Sequence, residues 1–387
     1  MGARRPGLEA TRADLSGRLK RGAYRAKAVK RTYIPKADGR QRPLGIPTRE
    51  DKLVQRATAE GRSAIYETDC LGFSYGFRPG RSPHRALEAL YAGVLTRKVN
   101  WGLDADIRGC FEAIDPAGLV KVVEHRMADR RGVRWIPKRL NAGGLEDGTR
   151  TWRDEGTPQG GSSSPRLANV YLHDVFDLWA QRWRKTPAHG DVIIVRYADD
   201  FIVGFQHRAA AERFLAELRE RVTKFSLELH PEKTRRLEFG PLAAENRQRA
   251  GKGKPETFDF LGFTHIGGKK RNGRFTVVRQ TIRKRVQAKR SEVKAELRRR
   301  LHDPTPVVGA WLCQVVSGHV RYDGVPMNGP AIGMVRFQVG GLWHRALARR
   351  SHTGYVSWAR MRRPIERWLP PARIWHPYPL RRLGVIT

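Results

Sequence analysis

Two adjacent aspartates, Asp199 and Asp200, stand inside the otherwise apolar run VRYADDFIVGF at residues 195–205. Side by side in a buried setting, two carboxylates repel one another and lose hydration, so such a run folds only where something offsets the cost. Two readings meet that condition. A tight β-hairpin can carry an acidic tip, because Asp suits turns. Alternatively, the pair faces a divalent cation, for which carboxylates on a turn are ready ligands. The run by itself does not decide between them.

Charge narrows the choice of partner. Lys and Arg number 75 against 38 Asp and Glu in 387 residues, a formal net charge of +37. Self-repulsion on that scale in a compact chain points to a polyanionic partner. There is no long apolar segment, lipidation signal or secretory signal, and the positive charge is spread over most of the chain. Nucleic acid is therefore favoured over a membrane surface. Cys70, Cys110 and Cys313 are far apart and form no CxxC pair, which leaves no disulfide framework or zinc motif and fits a reducing, intracellular protein. The 12 histidines show no HExxH pattern.

Periodicity gives a coarse order of elements. RTYIPKADGRQRPLGIPT reads as two short strands with a turn at Asp38-Gly39, and residues 51–66 and 82–98 read as helices around the loop LGFSYGFRPGRS. WGLDADI alternates, so that as a strand it puts Asp104 and Asp106 on one face. SSSPRLANVYLHDVFDLWAQRW reads as a helix with Ser164 as N-cap, Pro165 in its first turn and an apolar stripe of Leu167, Val170/Tyr171, Val175 and Leu178/Trp179. The aspartate hairpin follows, then a helix with Phe214, Leu218, Val222 and Phe225 on one face, then strand-like SLELH and TRRLEFG. A polar loop at residues 241–257 precedes TFDFLGFTHI, and a domain boundary falls near 275–280. Beyond it, RQTIRKRVQAKRSEVKAELRRRL carries ten basic residues against two glutamates in a helical pattern, which favours phosphate contact over a merely solvated face.

Strand, helix, hairpin, helix, strand describes an antiparallel sheet backed by helices. That order can bring Asp106 beside Asp199 and Asp200, and three convergent carboxylates make sense around cations that also meet substrate phosphates.

At these residues the chain resembles the reverse transcriptases encoded by bacterial group II introns. The blocks are YIPKADGRQRPLGIP, GFSYGFRPGRSPHRAL, DADIRGCF, GTPQGGSSSPRLANVYL, YADD, LELHPEKT and FDFLGFTH, in the family's order. GHVRYDGVPMN and WARMRRPIERWLPPARIWHPYP look like the family's thumb, or maturase, region. The resemblance implies an α+β right-hand polymerase. Its fingers and palm would span residues 1–275 around an antiparallel sheet, and a helical thumb or maturase domain residues 276–387.

The resemblance also implies roles. Asp106, Asp199 and Asp200 would be catalytic and, with Ile107, hold two Mg²⁺ ions, for which Mn²⁺ can substitute; Asp104 is the rival for the first position. Lys36, Arg42, Phe111, Gln159, Gly160 and Lys233 would bind the incoming deoxynucleotide. Phe111 would sit under its sugar, and Lys233 would stand near the departing pyrophosphate. Phe260, Leu261 and Gly262 would hold the primer terminus, and Arg78 would touch the template or organise the fingers. Buried-strand, loop and solvated-surface roles remain open for these residues on sequence alone. The implied activity is RNA-directed DNA synthesis on an RNA template from a DNA primer. An intron RNA would be the ribonucleoprotein partner for splicing, in the cytoplasm and with no membrane contact.

Two departures bear on that picture. The family's usual extension before the fingers is largely replaced by ARRPGLEATRADLSGRLKRGAY, and the C-terminus ends at YPLRRLGVIT without an HNH-like block, so no endonuclease domain is expected. The alternatives are a polymerase-fold RNA-binding splicing factor that has lost catalysis, and a domesticated, defence-associated relative.

Overall fold

The structure is a computed structural model that describes residues 8–35, 41–140, 144–146, 149–151, 164–350 and 356–382. Among these, the strands are β1 (Val29–Pro35), β2 (Gln41–Ile46), β3 (Trp101–Asp106), β4 (Gly144–Glu146), β5 (Thr149–Thr151), β6 (Val192–Tyr197), β7 (Asp200–Phe205), β8 (Arg235–Glu238), β9 (Phe258–Phe260), β10 (Phe263–Lys269) and β11 (Phe275–Thr281). They form three sheets, ordered β2-β1-β4-β5, β6-β7-β3-β8 and β11-β10-β9. Helices account for most of the rest, so the expected α+β class is what the chain adopts.

Two compact units are present. The first comprises Met1–Ala86, Leu103–Val203 and His207–Arg236; the second comprises Leu87–Gly102, Gly204–Gln206 and Leu237–Thr387. In the first, β1 and β2 pair antiparallel from Lys30↔Ile46 to Pro35↔Gln41, so the basic hairpin foreseen around Asp38-Gly39 forms, although residues 36–40 lie outside the described residues. Thr48 caps the helix Arg49–Tyr66 by accepting from the Asp51 amide, which satisfies one of the orphan donors at a helix start.

Several local expectations need correction. SLELH is not a strand: only Leu229 makes an isolated antiparallel bridge, to Ile107. The supposed loop at 241–257 contains a helix, Ala243–Arg249, and the stretch where the basic region was expected to begin opens with strand β11. Ser164 opens the helix Ser164–Leu172 from within it. That helix passes into a π-helical turn, His173–Asp177, before the helix Leu178–Lys185. A π turn holds one residue more than an α turn, so every apolar position beyond it moves round the axis. Val175 and Phe176 are buried, then Ala180 and Trp183, whereas Leu178 stays 46% exposed and drops out of the predicted stripe.

In the second unit β9, β10 and β11 form an antiparallel sheet, with Phe263↔Phe260 next to the β9–β10 turn. Leu261 and Gly262 both have positive φ, 47° and 88°, the signature of a tight two-residue hairpin turn. A Cβ at Gly262 would meet only the movable end of the Arg285 side chain, so it is the positive φ that calls for glycine there.

The helices Arg283–Arg299, Thr305–Asp323, Gly329–Ala348 and Trp358–Trp368 share one apolar core centred on Leu312, Val316, Trp343 and Met361. The stretch GHVRYDGVPMN ties this bundle to β11. Asn328 accepts from the Thr281 amide at 3.0 Å and donates to Thr281 Oγ1 at 2.8 Å and to the Asp323 carbonyl at 2.7 Å. Thr281 donates to Asp323 at 2.8 Å, and His319 lies 2.9 Å from the same carboxylate. All of Thr281, Asp323 and Asn328 are buried, so each bond satisfies a group that water cannot reach.

Removing Asn328 strands three polar groups at once. Asn328→Ala should destabilise the chain by about 3 kcal/mol, read as a lowered urea midpoint with an unchanged slope. A loss below about 1 kcal/mol would show that water enters and replaces the amide.

Candidate active site

The acidic hairpin is built by β6 and β7, with Ala198 and Asp199 as the two turn residues between them. Ala198 takes φ 60°, a left-handed conformation that costs a non-glycine residue about 1–2 kcal/mol. Three contacts hold it there. The Arg196 guanidinium donates to the Ala198 carbonyl at 2.9 Å. Gly76 packs so closely on the turn that a Cβ there would lie 2.4 Å from the Ala198 nitrogen. The Asn169 amide in turn donates to the Gly76 carbonyl.

Arg196 is 1% exposed, and its guanidinium is fully engaged. It makes a two-pronged ion pair with Asp177 at 2.7 and 2.5 Å, and donates to Asn169 Oδ1 at 2.9 Å and Ser74 Oγ at 2.7 Å. A buried ion pair is tolerable only when its remaining donors and acceptors are satisfied, and here they are. Backbone bonds run alongside: Arg196 donates to the Phe73 carbonyl at 2.9 Å, and Tyr75 donates to the Arg196 carbonyl at 2.8 Å. The loop LGFSYGFRPGRS is thus a buckle over the hairpin. Arg78 stiffens it through Glu67 at 2.6 Å and the carbonyls of Leu71 and Ser74, both at 2.7 Å.

The end of β3 meets the start of β7. Ile107 donates to the Asp199 carbonyl at 3.4 Å, and His230 donates to the Asp106 carbonyl at 2.8 Å. The latter bond, with the Ile107–Leu229 bridge, brings Lys233 onto the Asp106 carboxylate; Arg235 lies 3.5 Å from Asp104. Asp200 feels the result most. Burial raises its carboxyl well above the ordinary value of 3.8, and Asp104, Asp106 and Asp199 raise it further in that order, with Lys233 opposing.

The structure therefore brings Asp106, Ile107, Asp199, Asp200 and Lys233 together, with Asp104 beside them. Arg78 is committed to the loop, and Phe260, Leu261 and Gly262 belong to the second unit. Lys36, Gln159 and Gly160 lie outside the described residues, and Arg42 in β2 and Phe111 in the helix Cys110–Ala113 are described as backbone positions. Sequence reasoning missed Ser74, Asn169, Asp177 and Arg196. A cation inside the apolar strand VIIVRY was the available signal, since a buried guanidinium requires a carboxylate.

Among the described residues, no three His, Cys, Asp or Glu side chains are grouped closely enough to form a ready-made ion cage. The donor set nevertheless fits a hard divalent cation: all oxygen, with carboxylates crowded about the half-buried Asp200. In this structure the cations nearest that charge are Lys233 and Arg235.

Two expectations follow from this geometry. Arg196→Met should cost about 3–5 kcal/mol, because it leaves Asp177 buried and unpaired, and adding Asp177→Leu should recover much of the loss. Urea unfolding of both variants checks this; equal losses would mean that Asp177 needs no countercharge. For Asp200, the folded state holds a proton more tightly than the unfolded chain. Its stability penalty is absent below pH 3.8 and grows as pH rises from there through the raised folded-state value. Asp200→Asn should thus raise the melting temperature at pH 7, with the gain closing as the pH falls from the raised folded-state value to 3.8. A gain that persists in acid would assign the effect to something other than ionisation.

The profile of the family described as reverse transcriptase (RNA-dependent DNA polymerase) matches residues 34–265. Protein YkfC of Escherichia coli (strain K12) is 34% identical over 217 residues, covering 49% of this chain and 57% of that protein. The group II intron-encoded protein LtrA of Lactococcus lactis subsp. cremoris is 41% identical over 161 residues, covering 41% of this chain and 26% of that protein. The matches thus span less than two thirds of these relatives. In fold, the chain is similar to apo telomerase from Candida tropicalis, with a TM-score of 0.52 at 12% identity over 91% of this chain and 65% of that one. No helix among the described residues is long and apolar enough to cross a membrane. With its family profile covering the acidic hairpin and the strand opposite it, the chain belongs to the reverse transcriptase (RNA-dependent DNA polymerase) family, and the relatives it resembles include a group II intron-encoded protein.

Proposed function

We propose that this protein is an RNA-directed DNA polymerase of the group II intron type, which extends a DNA primer on an RNA template with deoxynucleotides and binds an intron RNA as a maturase. The observation that carries the reading is the crowding of Asp104, Asp106 and Asp199 about the partly buried Asp200, an electrostatic demand for divalent cations built into a rigid hairpin. Family membership supplies the reaction class.

In this reading Asp106, Asp199 and Asp200, with Ile107 beside them, would hold two Mg²⁺ ions. When bound, those ions acidify the primer 3′-hydroxyl and offset charge on the phosphates. The 3′-hydroxyl gives its proton to solvent as its oxygen bonds the α-phosphorus, the bond from that phosphorus to the bridging oxygen breaks, and pyrophosphate leaves. The chain's own part is to fix the acids. Arg196 sets the turn that carries Asp199, and the backbone bond from Ile107 aligns it with the end of β3. Lys233, already against Asp106, is an ammonium with a proton to give to the departing pyrophosphate. Lys36 and Arg42 would grip the triphosphate, Phe111 would exclude a 2′-hydroxyl, and Gln159 with Gly160 would position the nucleotide. Phe260, Leu261 and Gly262 would hold the primer end; Arg78 would act on the template through the loop it braces. Residues 1–275 would be fingers and palm, and residues 276–387 the thumb.

The test is primer extension on RNA with Mg²⁺ and deoxynucleotides. Wild-type protein should extend the primer, and Asp199→Ala should lower the rate by at least about 10³-fold while RNA binding measured by filter retention persists. Equal extension by both proteins would sink the metal-site assignment. RNA binding without extension by wild type on any template would favour the splicing-factor alternative.

A further inference from the structure

A cavity of about 220 Å³ opens between the helices Arg283–Arg299 and Gly329–Ala348, wholly within the second unit. Its rim carries Arg290, Lys294 and Arg298, spaced four apart on one helix face, and Arg345 and Arg349, spaced four apart on the other. Its floor is apolar and includes Leu297 and Leu342, which are nearly buried.

The five cations are exposed, and among the described residues none has a carboxylate partner. Glutamates are available on the first helix but serve other cations: Glu292 pairs with Lys289, and Glu296 with Arg299 and Arg300. Arg345 reaches only the Gly341 carbonyl, within its own helix. Among the described residues, no acidic residue lines the cavity. Five like charges facing one space repel one another unless an anion enters it, so the arrangement is one that a polyanion would stabilise.

Shape selects among polyanions. Packed helices have axes roughly 8–10 Å apart, so a groove between them is too narrow to take a duplex into its floor. A single strand fits: its phosphates can follow the two basic rims while a sugar or unstacked base rests on the apolar floor. We propose that this cleft is a binding site for single-stranded RNA. The inference rests on the polymerase reading only for the identity of the polyanion, and none of its residues belongs to the acidic centre.

The test is the salt dependence of binding by the full chain to a short oligouridine, which cannot pair with itself, and to a blunt RNA duplex. Neutralising three phosphate contacts lowers the slope of log K against log salt by about 2 for a single strand. R290Q/K294Q/R298Q should show that loss on oligouridine and leave the duplex slope at its wild-type value; R345Q/R349Q should lose about 1.4. R290K/R298K keeps the charge and should keep the slope, which separates lost charge from lost folding. Asp199→Ala, the probe of the polymerase reading, should also retain the oligouridine slope. A wild-type slope in both Gln variants, or an equal loss on the duplex, overturns the cleft and leaves the polymerase reading standing. Loss of binding to phosphatidylserine vesicles with the RNA slope unchanged would overturn it in favour of a lipid headgroup.

Discussion

A single buried ion pair underlies the architecture of the first unit. Arg196 and Asp177 bond through two prongs where neither is reached by water, and the remaining guanidinium hydrogens go to Asn169, Ser74 and the Ala198 carbonyl. One side chain thereby joins a helix, a loop and the turn that carries the aspartates. The ion pair itself adds little net stability once desolvation is counted. Its contribution is geometric: it fixes a turn whose left-handed alanine and crowded carboxylates would each relax if released.

The electrostatics of the site follow from that rigidity. Burial first, and then its fixed place beside Asp104, Asp106 and Asp199, hold the Asp200 carboxyl above the usual range, and the local field stays negative. The nearby ammonium and guanidinium of Lys233 and Arg235 offset part of it. An acidic centre on a chain of net charge +37 is a local inversion of sign, and it concentrates cation affinity at one place while the rest of the surface attracts polyanions.

The parts legible in the sequence were those set by short-range pattern. Alternation in WGLDADI placed β3, the apolar flanks of YADD placed the hairpin, and the ten cations of the basic stretch marked the helix Arg283–Arg299. What escaped depends on partners distant in the chain. Nothing local to Ser74 or Asn169 announces that they will meet Arg196, and SLELH has strand composition but only one bridge to pair with. The failure at Leu178 has a different cause. A uniform helical period does not carry through His173–Asp177, because the π turn there changes its phase.

That π turn also makes chain length a structural variable. Each residue of an α-helix advances about 100° around the axis, so eight residues of uniform α-helix would set Asn169 and Asp177 about 80° apart, and the extra residue held in the π turn brings them back to one face. Both can then bond the one guanidinium of Arg196. The segment can therefore absorb many changes of side chain but not a relaxation to plain α-helix at constant residue number, which would turn Asp177 away from the guanidinium that Asn169 also meets.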